Sequence, residues 1–265
     1  MGLNVKPNSE VDILKGEVLY EDDSHKYIWL GWEEQEDVNL VNVNQYVIID
    51  NDEAVILDPG GIHVFPRIVG NLSRYIDLEK LKYLFFSHQD PDVCSGIAMW
   101  MSITPAKVYI SKWWIRFIPH FGIFDPKKLL PIEDKGGRIT FKSGRYLEII
   151  PAHFLHSTAN FTVYDPVSKI YFSGDLGAAL FPPGGKYLFV EDFDHYAKMM
   201  IDFHKRFMTS NAALKHFLNK LSKYDIEMIV TQHGGIFPDR NLSKKFLNWL
   251  QNLKCGIDII KDIYA

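Results

Sequence analysis

The stretch SHQDPDVCSG, residues 87–96, sets one histidine and two aspartates at alternate positions, His88, Asp90 and Asp92, directly behind the apolar run LKYLFF. On a short loop, alternate side chains can point the same way, so an imidazole nitrogen and two carboxylate oxygens can face one point. Donors of that kind bind a divalent cation. Three further apolar runs stop in the same manner: LEIIPAH delivers His153, KIYFSGD delivers Asp175 and EMIVTQH delivers His233. Taken singly, each has an ordinary structural reading. Asp92 can cap a helix beginning near Ser95, Asp175 can organise a turn after Ser-Gly, and any one of the ten histidines can lie at the surface or core edge. Six ligand-type residues at four strand ends together predict a metal site. Three histidines and three carboxylates without a thiolate suit iron or manganese, whereas hydrolytic zinc sites lean more on imidazole; the order of affinities still lets zinc compete.

For these groups to converge, the strand ends must share one edge of a layered structure. EVLYEDD, KYIWLGW, NQYVIID, AVILDPGG, LKYLFF and AKVYIS read as strands in the first half, and RYLEIIPA, NFTVYD, KIYFSGD and IEMIVTQHGG in the second. A helix is expected at 64–80, where Ile68, Leu72, Tyr75 and Ile76 share a face. IAMWMS and SKWWIRFIPHF read as further short helices, and residues 125–137, rich in Pro, Gly and Lys, as a loop. From 192 to 222 two helices are expected, broken near Thr209-Ser210-Asn211, with Ser210 or Asn211 capping the second. LSKKFLNWLQNLKC closes as an amphipathic helix. Two β-rich blocks, each followed by helices, predict a two-sheet sandwich flanked by helices rather than strict βαβ alternation.

Composition limits the partners. The chain has 265 residues, 47% of them hydrophobic, and no repeats, so one globular domain over 1–265 is expected. Its net charge of −4 is spread through interleaved acids and bases, which argues against nucleic acid or an anionic membrane. No apolar run approaches the roughly 20 residues of a membrane span, and MGLNVKPNSEVDILKGE lacks a signal-peptide core, so a cytoplasmic protein is expected. The two cysteines, Cys94 and Cys255, read as reduced thiols.

The motif set resembles the metallo-β-lactamase fold, and within it the diiron branch found in the core of flavodiiron proteins. The resemblance rests on the loop His88-Gln89-Asp90-Pro91-Asp92-Val93, with Asp90 at the carboxylate position that marks that branch, on PAHFLHS, FSGD and TQHGG, and on the N-terminal strands with VILDPGG. It implies an α+β, metallo-β-lactamase-like αββα sandwich and two iron ions joined by an oxo or hydroxo bridge. By the same resemblance His88, Asp90 and His153 hold the first ion, Asp92 and His233 the second, and Asp175 both. Val93 stands where that loop usually carries a further histidine, which leaves the second ion one protein ligand short and open to a small diatomic molecule. His156, three residues past His153, either rotates in to fill that position or lines the pocket as a hydrogen-bond donor, the second being the expectation, with a plain structural role as the alternative.

No flavodoxin segment follows the core before Ala265, so no FMN is expected. A flavin-free, histidine-deficient core resembles the oxygen-binding diiron proteins. This implies dioxygen, or nitric oxide, as ligand, a role in oxygen sensing or scavenging linked to chemotaxis, a signalling or electron-donor protein as partner, and a homodimer. The alternatives are an O2 or NO reductase fed by a separate rubredoxin-type donor, and a dinuclear zinc hydrolase working through a metal-bound hydroxide. Other groups have plainer expectations. Cys94 packs under the loop, Trp113, Trp114, Phe117 and Phe121 form core or pocket wall, and His195, His204 and His216 sit solvated or at the core edge of amphipathic helices.

Overall fold

The computed structural model describes residues 2–33, 40–123 and 125–265. Thirteen strands among these form two sheets. The first runs, neighbour to neighbour, β1 (Gly2–Leu3), β2 (Glu17–Glu21), β3 (His25–Trp29), β4 (Tyr46–Asp50), β5 (Glu53–Leu57), β6 (Leu81–Phe85), β7 (Lys107–Ser111) and β8 (Leu129–Ile132). The second has five strands: β9 (Gly137–Thr140), β10 (Tyr146–Pro151), β11 (Phe161–Asp165), β12 (Ile170–Phe172) and β13 (Met228–Val230). Helices α1 (Phe65–Leu72), α2 (Pro91–Cys94) and α3 (Ile97–Ile103) belong to the first half. The second half supplies α4 (Phe193–Phe207), α5 (Asn211–Leu221), α6 (Arg240–Asn252) and the terminal α7 (Ile260–Ile263).

Strand periodicity generates the layers. Along β4, Tyr46 and Ile48 enter a cluster shared by both sheets, while Val47 and Ile49 enter a second cluster with Ile68 and Leu72 of α1 and Trp100 of α3. Along β12, Ile170 and Phe172 face the other sheet, and Tyr171 joins a third cluster with Tyr196 and Met200 of α4, Leu214 of α5 and Phe246 of α6. The layers are therefore helix, sheet, sheet, helix, the αββα sandwich. Because β4 and β5 are buried on both faces, their sequences are continuous apolar runs rather than alternating ones.

Strand direction explains why the chemistry converges. β12 and β13 are parallel, and β10 lies antiparallel to β11, which is antiparallel to β12. Three strands of the second sheet thus end on one edge. β6 ends on the facing edge of the first sheet, and the two edges are joined where the Phe161 N–H donates to the Ser87 carbonyl at 3.0 Å. At the far edge, buried His25 clasps the sheets together, with Nδ1 3.2 Å from Asp50 Oδ1 and Nε2 2.9 Å from Asp165 Oδ2.

Three local expectations change. The helix predicted over 64–80 stops at Leu72, and a short 3-10 turn, Leu78–Lys80, leads into β6. Residues 125–137 contain β8, an edge strand that accommodates Pro131 because only one side of an edge strand pairs. SKWWIRFIPHF coils as a 3-10 helix, Ile115–Phe121, with Pro119 inside. The predicted break at 209–211 is present, and the Ser210 hydroxyl caps α5 by accepting from the Ala213 N–H. No helix among the described residues is long and apolar enough to cross a membrane.

Candidate metal centre

Five of the six predicted donors meet at the joined edges. His88 leaves β6 fully buried, with Nε2 3.6 Å from Asp90 Oδ2 and 3.9 Å from Asp175 Oδ1. His233, beyond β13, has Nε2 3.3 Å from Asp92 Oδ2 and 3.9 Å from the same Asp175 Oδ1. Asp175 is buried, and its Oδ1 has no hydrogen-bond partner. A partnerless carboxylate oxygen set at equal distance from two imidazole nitrogens has the placement needed to share positive charge between two ions.

The structure brings a different histidine to the cluster from the one expected. His153 is not among the clustered donors: it donates from Nε2 to the Asp134 carbonyl at 2.7 Å and lies edge-on to Phe161. His156 comes in instead, with Nε2 2.9 Å from Asp90 Oδ2 and 3.5 Å from Asp175 Oδ2. Donor atoms of His88, His156 and Asp175 all lie within 4.8 Å of one another. The reason is backbone geometry. The chain leaves β10 at Pro151, and both Phe154 and His156 adopt positive φ, 65° and 76°, which reverses the loop and points the later histidine inward. Left-handed conformations at non-glycine residues are uncommon and persist where surrounding structure enforces them. Here Phe203 stacks on the His156 ring at 5.7 Å and Phe207 packs at 5.4 Å, both from α4.

Outer contacts fix which nitrogen faces the centre. The Ser87 hydroxyl donates to Asp58 Oδ2 at 2.6 Å, so it accepts from His88 Nδ1 at 2.8 Å and leaves Nε2 as the nitrogen that faces the cluster. His233 Nδ1 donates to the Asn42 carbonyl at 2.8 Å with the same result. Gln232 Nε2 donates to Asp92 Oδ2 at 2.9 Å, and Ser157 reaches Asp90 through Gln89. The Asp90 and Asp92 side chains are 34% and 31% exposed, against 1% for His88, so the two loop aspartates form the solvent-facing side of the cluster.

Charge coupling is strong without a metal. Burial works against a charged His88, yet Asp175, Asp90 and Asp58 raise it to about 9. Burial likewise opposes charge on His233, and Asp92 with Asp175 raises it to about 9. Asp92 falls to about 2 against its burial because His233 and Gln232 hold its anion, and Asp90 is held well below the usual carboxylate range by His156 and His88. A cation would replace protons that the carboxylates now hold on imidazoles.

Several parts escaped sequence reading. Ser87 opens SHQDPDVCSG and Asp58 lies inside VILDPGG, but nothing in either run shows that their side chains meet. Val93 is fully buried in the apolar cluster under the first sheet, and Cys94 packs beneath the loop with Sγ 3.2 Å from the His88 carbonyl. Trp113 and Phe117 are about half exposed rather than core. His204, expected to be solvated or at the core edge of its helix, is fully buried: Nδ1 donates to the Met200 carbonyl and Nε2 accepts the Gly177 N–H at 2.9 Å. Burial depresses it to about 4. Folded His204 is thus neutral while the unfolded residue protonates near 6.5, so its contribution falls as pH drops from about 6.5 to about 4 and then levels. Relative to His204→Gln, the wild-type unfolding free energy should fall by about 3 kcal/mol between pH 7 and pH 4, measured by urea unfolding.

Residues 41–234 match the family model described as "ODP family beta lactamase". The chain is 44% identical to the structure described as "Peroxy diiron species of chemotaxis sensor ODP", covering 94% of this chain and 99% of that one, with a TM-score of 0.84. It is 45% identical to the apo state of the chemotaxis sensor ODP from T. denticola, over 94% and 98% of the two chains, with a TM-score of 0.82. The metal-soaked Flv1 flavodiiron core from Synechocystis sp. PCC6803, 18% identical over 89% of this chain and 61% of that one with a TM-score of 0.70, shares the fold. The chain spans about half or less of the length of the curated relatives it matches.

Proposed function

From the premise that the chain belongs to the ODP family of beta lactamases, we propose that it is a non-haem diiron protein that binds dioxygen and reports it to a partner. The observation that carries the reading is Asp175 Oδ1 midway between two unequal donor sets, His88, Asp90 and His156 on one side and Asp92 and His233 on the other. The first set, with Asp175, would hold one ion, and the second, one imidazole poorer, would hold the other with fewer protein donors. Two ferrous ions bound there would supply the electrons that dioxygen accepts. The protein's own part is to hold both Nε2 atoms toward the centre through Ser87 and Asn42, to balance the charge with three carboxylates, and to wall the site with Phe203 and Phe207. Residues 1–265 act as one cytoplasmic diiron domain, paired as a homodimer, whose signalling partner belongs to chemotaxis, a reading supported by the likeness to the two chemotaxis sensor ODP structures.

The test is anaerobic loading with ferrous iron followed by dioxygen, with metal content, visible absorbance and oxygen consumption recorded together. The expected result is two irons per chain, a stable new absorbance and stoichiometric oxygen uptake per iron pair. Continuous consumption with an added electron donor would replace this reading with the reductase, and zinc uptake without iron would replace it with the hydrolase.

A further inference from the structure

Helix α4 approaches the centre with Tyr196, Phe203, His204 and Phe207, spaced to fall on one broad face. The two aromatic rings reach His156, whereas Tyr196 and His204 reach the loops behind Asp175 and His233. The Tyr196 hydroxyl is fully buried, accepts the Gly235 N–H at 2.7 Å and lies 3.2 Å from the Gly177 carbonyl, to which it can donate. Gly177 follows Asp175 by two residues, and Gly235 follows His233 by two. The phenol therefore pins the loop of the shared carboxylate to the loop of the histidine on the poorer side. Gly234 confirms how close the approach is: at φ 84°, a Cβ there would lie 2.3 Å from the Tyr196 oxygen. His204 fixes the same carboxylate loop from one turn-pair further along α4 by accepting the Gly177 N–H. On the strand side the loops are already joined by the Gln232 N–H to the Gly174 carbonyl.

We propose that Tyr196 is a positioning residue for the second metal ion, setting the separation of Asp175 from His233. This rests on the diiron reading above. The first set is closed by His88, Asp90 and His156 from elements that Tyr196 does not touch with its hydroxyl. The second has only Asp92 and His233 besides Asp175, so it depends more on loop spacing. Removing the hydroxyl leaves the Gly235 N–H buried without its acceptor and frees the two loops to separate.

The experiment is an anaerobic titration of the full chain with ferrous iron, followed by Mössbauer spectroscopy with the 57Fe isotope, on wild type and Tyr196→Phe. The substitution keeps the ring and its edge contact with Phe237. The first equivalent should bind within about twofold of wild type, the second at least about tenfold more weakly, with the magnetically coupled iron pair appearing only at excess iron. Leu214→Ala in α5 is the control, since it thins the same helical layer and leaves Tyr196 in place. It should lower the thermal midpoint and spare both affinities. Equal weakening of both irons in Tyr196→Phe, no weakening, or a selective second-site loss in the control would overturn the proposal. A wild-type chain that takes up fewer than two irons would instead defeat the diiron reading itself.

Discussion

His156→Ala should take up at most one iron per chain and lose the oxygen-dependent absorbance, whereas His153→Ala should keep both. The two residues sit three apart on one loop, so the contrast tests placement rather than proximity. His156 offers Nε2 to Asp90 and Asp175 at 2.9 and 3.5 Å, while His153 gives its Nε2 to a backbone carbonyl. Truncating an outer partner of a metal ligand costs about 10–100-fold in affinity, so loss of a donor at this distance should exceed about 100-fold. His153→Ala removes one hydrogen bond and an edge contact with Phe161, a change of about 1 kcal/mol in stability. Metal analysis after gel filtration and a chelator-competition titration separate the two outcomes. Retention of iron by His156→Ala with loss in His153→Ala would restore the assignment that strand endings alone suggest.

Asp175→Asn should abolish the iron pair. An amide keeps the size of the side chain but carries no negative charge to share, and Asp175 is the group that approaches both donor sets. The expected result is a loss above about 100-fold for the weaker iron and no coupled diferrous signal. A second readout needs no metal. Asp175 helps hold the His88 and His233 protons, so both should titrate at lower pH in the metal-free variant, followed by imidazole proton resonances. The sign follows from linkage: a carboxylate favours the protonated imidazole, and its neutral isostere releases that proton more readily. Two irons bound as in wild type would remove Asp175 from the centre.

Sequence alone determined the layered fold and most of the residues that the candidate site brings together. Apolar runs of strand length, two β-rich blocks and their trailing helices left few architectures that bury both sheet faces, and the αββα sandwich is the one observed. His88, Asp90, Asp92, Asp175 and His233 were legible because each stands within a few residues of a strand end, and a rigid strand carries its direction into the first residues beyond it. His153 and His156 were not separable on that ground. The loop between β10 and β11 turns through two left-handed residues, and which histidine faces inward depends on Phe203 and Phe207, some fifty residues away. The same holds for Asp58 and Ser87, whose contact joins the ends of the neighbouring strands β5 and β6, and for His204 and Tyr196, whose contacts exist only when α4 has packed on the loops of the second sheet.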